Sequence, residues 1–397
     1  MNVTIRPSTP AGTVAAPPSK SMAHRLLICA AQTVGETTVR SVTLSEDVRA
    51  TVDCLRALHV DCTFRDGDVM LTGYTPHCGA DGAVLPCRES ASTLRFFLPL
   101  CLFGPQITFT GTARLLARPL GPYEELCRKQ GIAFAKDAAS IRVQGKLAPG
   151  EFRLPGDVSS QFVSGLLFAL PMLDGDSVLR LRPPVESRSY VDMTMAALRA
   201  FGVETAWLDR ETVAVPGRQY YKWRPEATVE GDWSNAAPFL ALGVPVTGLD
   251  PESLQGDRVC EAYFDALRQG PATIDLSDCP DLGPLLFAFA AAHRGGTFTG
   301  TRRLRFKESD RGWAMQAELR KFGIETRIEE NSITVGHGLR APTEPLDGHG
   351  DHRVVMALSV LCTQTGGTIR GAETVGKSFP DFFERLGALG IRVRTTT

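Results

Sequence analysis

Apolar positions along the chain recur at helical spacing in stretches that end on a glycine and pass straight into a β-branched or apolar strand start. Leu198-Arg199-Ala200-Phe201-Gly202-Val203 and Leu319-Arg320-Lys321-Phe322-Gly323-Ile324 match nearly residue for residue. Looser copies are Arg128-Lys129-Gln130-Gly131-Ile132, Leu267-Arg268-Gln269-Gly270 and Gly387-Ala388-Leu389-Gly390-Ile391. Leu55-Arg56-Ala57-Leu58-His59-Val60 keeps the register but has His in place of Gly. Glycine after a helix takes the left-handed conformation at little cost, so the chain can turn sharply into a strand there. The caps fall at 59, 131, 202, 270, 323 and 390, giving gaps of 72, 71, 68, 53 and 67 residues. Near-even spacing of six similar units predicts an internally repeated α/β protein.

Apolar helical runs start after Ser21, Ser92-Thr93, Ser160-Gln161, Asp310, Asp351 and Asp381. Ser, Thr and Asp at such positions satisfy the free N–H groups of a first turn. Four of these starts also carry Lys or Arg, which the positive end of a helix disfavours. Cations gathered there make sense if an anion is bound among them. Pro216-Gly217, Pro225 and Gly231-Asp232 are candidate linkers.

A chain of 397 residues is too long for one ordinary core and predicts two domains. The apolar fraction is 43% and the charged fraction 22%, as in a globular protein. A formal charge of -1 argues against a nucleic-acid or membrane-surface partner held by bulk charge. The N-terminus lacks the apolar core of a signal peptide, and runs such as Leu285 to Ala292 are too short to span a bilayer. Ten cysteines without CxxC pairs predict reduced, mostly buried thiols in the cytosol.

Three local patterns invite chemistry. Gly371-Ala372-Glu373-Thr374-Val375-Gly376-Lys377-Ser378 fits the P-loop letter for letter. Pro380 follows where a P-loop helix should already run, and only 19 residues remain after Ser378, so the match is read as coincidence and only Lys377 is kept as an anion contact. His349-Gly350-Asp351-His352 lacks a third ligand at a recognisable distance, so no metal is expected. Glu308, between Lys307 and Arg311, could be a capping acid, and Asp281 a simple N-cap. Beside the cation clusters they become candidates for an acid and a base.

The stretches Pro17-Pro18-Ser19-Lys20-Ser21 to Arg25, Glu89 to Arg95, Arg118-Pro119, Asp157 to Phe162 and Ser187 to Tyr190 occur in an order and spacing that resemble the EPSP synthases, 3-phosphoshikimate 1-carboxyvinyltransferases. Glu230-Gly231-Asp232, Pro280-Asp281, Lys307 to Arg311, Asp351-His352-Arg353 and Lys377 to Asp381 continue it almost to the end. The resemblance implies an α/β fold (α+β in schemes that separate them) of two similar domains, each of three βαβαββ units in an inside-out barrel. It implies residues 20–229 as one domain and 1–19 plus 230–397 as the other, with the site in the cleft between them.

The implied reaction moves the enolpyruvyl group of phosphoenolpyruvate to the 5-hydroxyl of shikimate 3-phosphate, in the pathway to chorismate and the aromatic amino acids. Asp281 corresponds to the proton acceptor, Glu308 to the proton donor, and Lys20 to a group serving both substrates and chemistry. Lys20, Ala91, Arg118, Gln161, Arg311, Arg353 and Lys377 fall on phosphoenolpyruvate positions. Lys20, Ser21, Arg25, Ser159, Ser160, Gln161, Ser187, Tyr190, Asp281 and Lys307 fall on shikimate 3-phosphate positions. No cofactor, nucleic acid or membrane is implied, and a cytoplasmic monomer is expected.

Two departures stand out. The family usually has Gly where this chain has Ala91, and the extra methyl predicts poor inhibition by glyphosate, which occupies the phosphoenolpyruvate pocket. Arg303 stands where some members place Asn near the phosphorylated substrate. The related enolpyruvyl transferase acting on UDP-N-acetylglucosamine carries a reactive Cys in a loop that here, Ala113 to Pro119, has none. A non-catalytic anion-binding homologue is a further alternative, disfavoured by the retention of both carboxylates and the cations.

Overall fold

The computed structural model describes residues 1–73 and 81–396. The chain divides into two compact units, Pro18–Glu230 and a discontinuous one made of Met1–Pro17 with Gly231–Thr397.

Buried helices form the centre of each unit, and sheets cover them. In the helix Gly283–Ala292 every residue except the last is buried, because its sequence is apolar on all sides. The strands alternate instead. In Ser177–Arg182, Ser177, Leu179 and Leu181 face inward while Arg180 and Arg182 face water. Each unit has its own apolar core, and among the described residues none belongs to both. Among the described residues no helix is long and apolar enough to cross a membrane.

One plan recurs in five four-stranded sheets among the described residues. A parallel pair is followed by an antiparallel hairpin, as in Glu151–Pro155, Ser177–Arg182, Thr212–Val215 and Ala206–Trp207. Parallel pairs need a helical crossover, which explains the helix between the first two strands. The unit Pro18–Glu230 holds three such sheets. The other unit holds two, one of them completed by the N-terminal strand Asn2–Arg6, which pairs with both Gly367–Arg370 and Arg392–Thr396.

The sixth repeat is reduced, which the expectation of three full units per domain did not foresee. Val14–Ala15 and Val246–Thr247 form only a parallel pair. The helix Cys260–Gln269 then runs through Gly270 and Pro271 directly into the strand Ala272–Asp275, with no hairpin between. That omission accounts for the short 53-residue gap after position 270. It also changes the cap. Gly131, Gly202, Gly323 and Gly390 have φ of 67°, 70°, 78° and 86°, but Gly270 has φ 176°, ordinary extended backbone. His59 takes the left-handed conformation, φ 66°, despite its Cβ.

The helices expected after Asp310, Asp351 and Asp381 begin at Arg311, His352 and Phe382, while those expected after Ser21, Ser92-Thr93 and Ser160-Gln161 begin two to three residues earlier, at Lys20, Ala91 and Ser160. Gly371 to Ser378 does not form a P-loop. Ala372–Lys377 is a 3-10 turn, and the next α-helix begins only at Phe382. Nine cysteines are buried and free of disulfides among the described residues, while Cys78 lies outside them. Burial pushes several of these thiols up, Cys62 to about 12 and Cys127 to about 11, so they stay protonated.

Candidate functional site

In the unit Pro18–Glu230, Lys20 opens the helix Lys20–Ala31, whose first turn is capped by Ser19 accepting from the Met22 amide. Lys20 Nζ donates to Asp47 Oδ2 at 2.7 Å, so a cation that opposes its own helix dipole is held by a carboxylate from the neighbouring helix Glu46–Ala57. Arg25, one turn further, is buried. Nε donates to Thr194 Oγ1, Nη1 to the Ser21 carbonyl, and Nη2 to the Tyr190 carbonyl and Ser164 Oγ. Burial draws Arg25 down to about 10, against smaller support from Tyr190 and Cys29, and it stays charged at neutral pH. Ser187 is buried at φ 53°, just before the helix Arg188–Ala200 that carries Tyr190.

The helices Ala91–Leu100 and Ser160–Ala169 approach closely. A Cβ on Gly165 would strike the Arg95 carbonyl and the Tyr123 hydroxyl. Tyr123 Oη reaches both the Arg95 and Phe162 carbonyls, at 2.8 and 3.0 Å, and locks the two helices in register. Gln161 is oriented as a result. Its Oε1 accepts from Arg95 Nη1 at 2.7 Å and its Nε2 donates to Ser92 Oγ at 2.9 Å. Ser159 caps this helix by accepting from the Gln161 amide, and Ser160 is its first residue. Ala91 begins the other helix with 6% exposure. Arg118 is half-buried beyond the short helix Ala113–Leu116. Arg95 was not anticipated as a site residue, although it closes the quoted Glu89 to Arg95 stretch.

The other unit gathers the carboxylates. Arg311, first residue of the helix Arg311–Lys321, is 1% exposed. Its Nη1 donates to Asp281 Oδ1 at 2.8 Å, its Nη2 to Glu308 Oε2 at 2.9 Å, and its Nε to Asp351 Oδ2 at 2.9 Å. Asp351 is fully buried, accepts from Ser309 Oγ, and caps the helix His352–Thr365 through the Arg353 amide. Arg311 is thus a hub for three acids and has little left for a ligand, a placement the sequence did not suggest.

Asp281 sits on the 3-10 turn Pro280–Leu282, with Lys307 Nζ at 3.1 Å and Arg353 Nη2 at 3.7 Å. Burial works to raise its carboxyl, but Lys307, Arg311 and Arg353 together outweigh that and hold it well below the usual carboxylate range. Lys307 is lowered by burial, partly offset by Asp281. Lys377 Nζ donates to the Gly350 carbonyl at 3.0 Å. Arg303 is buried with Nη2 on the Ser277 carbonyl. His349 pairs with Glu318 Oε1 at 2.9 Å and His352 is buried beside Asp351, so the two rings serve separate contacts.

The family model for EPSP synthase (3-phosphoshikimate 1-carboxyvinyltransferase) matches residues 6–386. The chain belongs to the EPSP synthase family. Relatives named 3-phosphoshikimate 1-carboxyvinyltransferase include one from Clostridium kluyveri, 38% identical over 98% of this chain and 97% of its own length. Another, from Clostridium acetobutylicum, is 34% identical over 98% and 97%. A solved EPSP synthase from Acinetobacter baumannii covers 100% of both chains with a TM-score of 0.77 at 23% identity, a likeness of fold.

Proposed function

We propose that this member of the EPSP synthase family transfers the enolpyruvyl group of phosphoenolpyruvate to the 5-hydroxyl of shikimate 3-phosphate and releases phosphate. Beyond family membership, one observation carries the reading. A single buried guanidinium, Arg311, holds the two candidate acid–base carboxylates, Asp281 and Glu308, next to further cations. Addition and elimination at an electrophilic carbon that bears carboxylate and phosphate groups need such a set.

In the addition step the 5-hydroxyl oxygen bonds to C2 while C3 gains a proton. Asp281 takes the hydroxyl proton and Glu308 supplies the one for C3. In the elimination step the methyl gives a proton back to Glu308, the C2–O bond to phosphate breaks, and the proton on Asp281 goes to the departing phosphate. Asp281 starts ionised, as an acceptor must. Anions binding at Lys307 and Arg353 draw on the charges that depress it and raise its basicity for the transfer.

Lys20, Arg118, Arg353 and Lys377 bind the carboxylate and phosphate of phosphoenolpyruvate, with the arginines suited to bidentate contacts and the lysines acting as point charges. Ser21, Ser159, Ser160, Ser187, Tyr190 and Lys307 bind shikimate 3-phosphate, and Gln161 touches both substrates. Arg25 and Arg311, whose donors are largely engaged, act mainly by holding neighbours in place. The chemistry calls for no cofactor, and the reading implies a cytoplasmic monomer in the route to chorismate and aromatic amino acids. Ala91 adds a methyl to the phosphoenolpyruvate pocket and makes the enzyme poorly sensitive to glyphosate.

Phosphate release tests the reading. Release is expected only when phosphoenolpyruvate and shikimate 3-phosphate are both present. Turnover with UDP-N-acetylglucosamine instead, or no turnover with either acceptor, overturns it.

A further inference from the structure

We infer that Asn235 is a positioning residue that aims Arg353 at the anion without spending its charge. The inference rests on the reading of Arg353 as a phosphoenolpyruvate contact. Asn235 is fully buried in the first turn of the helix Trp233–Ala241, whose cap Asp232 accepts from the Asn235 amide. Its Oδ1 accepts from Arg353 Nη1 at 3.0 Å and from Ser378 Oγ at 3.3 Å, while its Nδ2 donates to the Ser378 carbonyl at 3.4 Å. The amide orientation follows from chemistry, because arginine only donates and must face the oxygen.

One neutral side chain therefore ties together two helix starts and the residue after Lys377. The contrast with Arg311 is informative. Arg311 is surrounded by three carboxylates, and its charge is cancelled locally. Arg353 is 6% exposed, and its Nη2 lies 3.7 Å from the Asp281 carboxylate, beyond direct hydrogen-bond distance. Its Nε is buried without an acceptor among the described residues. A buried, orphaned N–H on a cation is costly unless an anion completes it. An amide orients the guanidinium while leaving its positive charge for that anion, whereas a carboxylate would orient it equally well and neutralise it.

Asn235→Asp separates positioning from framework, since it keeps the shape and the acceptor but adds a charge. The expected result is a KM for phosphoenolpyruvate raised about tenfold or more, with the KM for shikimate 3-phosphate within about twofold of wild type, the scale of one charged contact. Asn235→Ala should raise the KM for phosphoenolpyruvate less, and Ser378→Ala less still. Cooperative unfolding of each variant shows that it is folded. If Asn235→Asp does not fold, Asn235→Ala decides the matter by the same split. An unchanged KM for phosphoenolpyruvate in the folded variants, or an equal rise for both substrates, overturns the inference. Calorimetric binding of inorganic phosphate to wild type and to Asn235→Asp gives a readout independent of turnover. Weaker phosphate binding in the variant supports the inference even if wild type proves inactive, which would sink the proposed function alone.

Discussion

A guanidinium with 1% exposure is costly to bury alone, and the three carboxylates around Arg311 offset that cost. They also raise its pKa against the pull of burial, so the positive charge is permanent. The same contacts fix where Asp281 and Glu308 point. Removing either carboxyl should therefore act on chemistry first. Glu308→Gln and Asp281→Ala are each expected to lower kcat by more than about a hundredfold, measured by phosphate release. Near-normal rates in both would leave the assigned roles without support. Ala91 poses a different question at the same scale. With 6% exposure it has little room, and overpacking costs about 1–3 kcal/mol. Ala91→Gly is expected to be inhibited by glyphosate at lower concentration than wild type, and equal inhibition of the two would remove the idea.

Helix starts carry the site because their caps are short polar side chains placed next to the functional residues. Ser19, Ser90, Ser159, Asp310 and Asp351 each accept a first-turn amide. Asp310 and Asp351 were legible in the sequence, since capping is local chemistry, whereas Ser19, Ser90 and Ser159 lie one to three residues before the polar residues that the pattern pointed to. Asp381 was not read fully. It precedes its helix but makes no cap bond, because its carboxylate takes Arg385 Nε at 2.7 Å instead. Helix ends were legible for the same local reason, with Gly270 the exception where the following hairpin is absent. His59 is the strained copy of the repeat, exposed and at φ 66°. His59→Gly should stabilise the protein by about 0.5–1 kcal/mol, since left-handed backbone costs an L side chain more than glycine loses in chain entropy. Urea unfolding measures it, and a loss of stability would show that His59 makes a contact worth more than its strain.

At the scale of the molecule, the unit Pro18–Glu230 is one continuous segment with three complete sheets and its own core. Expressed alone, it is expected to unfold cooperatively; a non-cooperative melt would show that it depends on the rest of the chain. Stability against pH is a second whole-molecule property. Asp257 is fully buried and accepts from the Ser234 hydroxyl. Burial, helped by the Asp281 charge, raises it from 3.8 to about 7. Over that window the folded protein holds a proton that the unfolded chain has lost. Its contribution is complete below the lower value and gone above the upper one. Wild type is thus expected to lose stability relative to Asp257→Asn as pH rises from about 5 to about 8, read as urea midpoints. Parallel curves would mean that Asp257 is ionised throughout.

The sequence alone determined what depends on neighbours a few residues away: the helix caps, the glycine turns, the repeat and its one short interval, and the ordered segments that mark the family. Tertiary structure decided what depends on residues far apart in the chain. It brought Asp281 and Asp351 onto the arginine that Glu308 already reaches from three residues away, paired Lys20 with Asp47, and set Asn235 against Arg353 across 118 positions. Spacing cannot reveal such contacts, because a buried charge is stabilised by whichever partner folding brings beside it, whatever the distance along the chain.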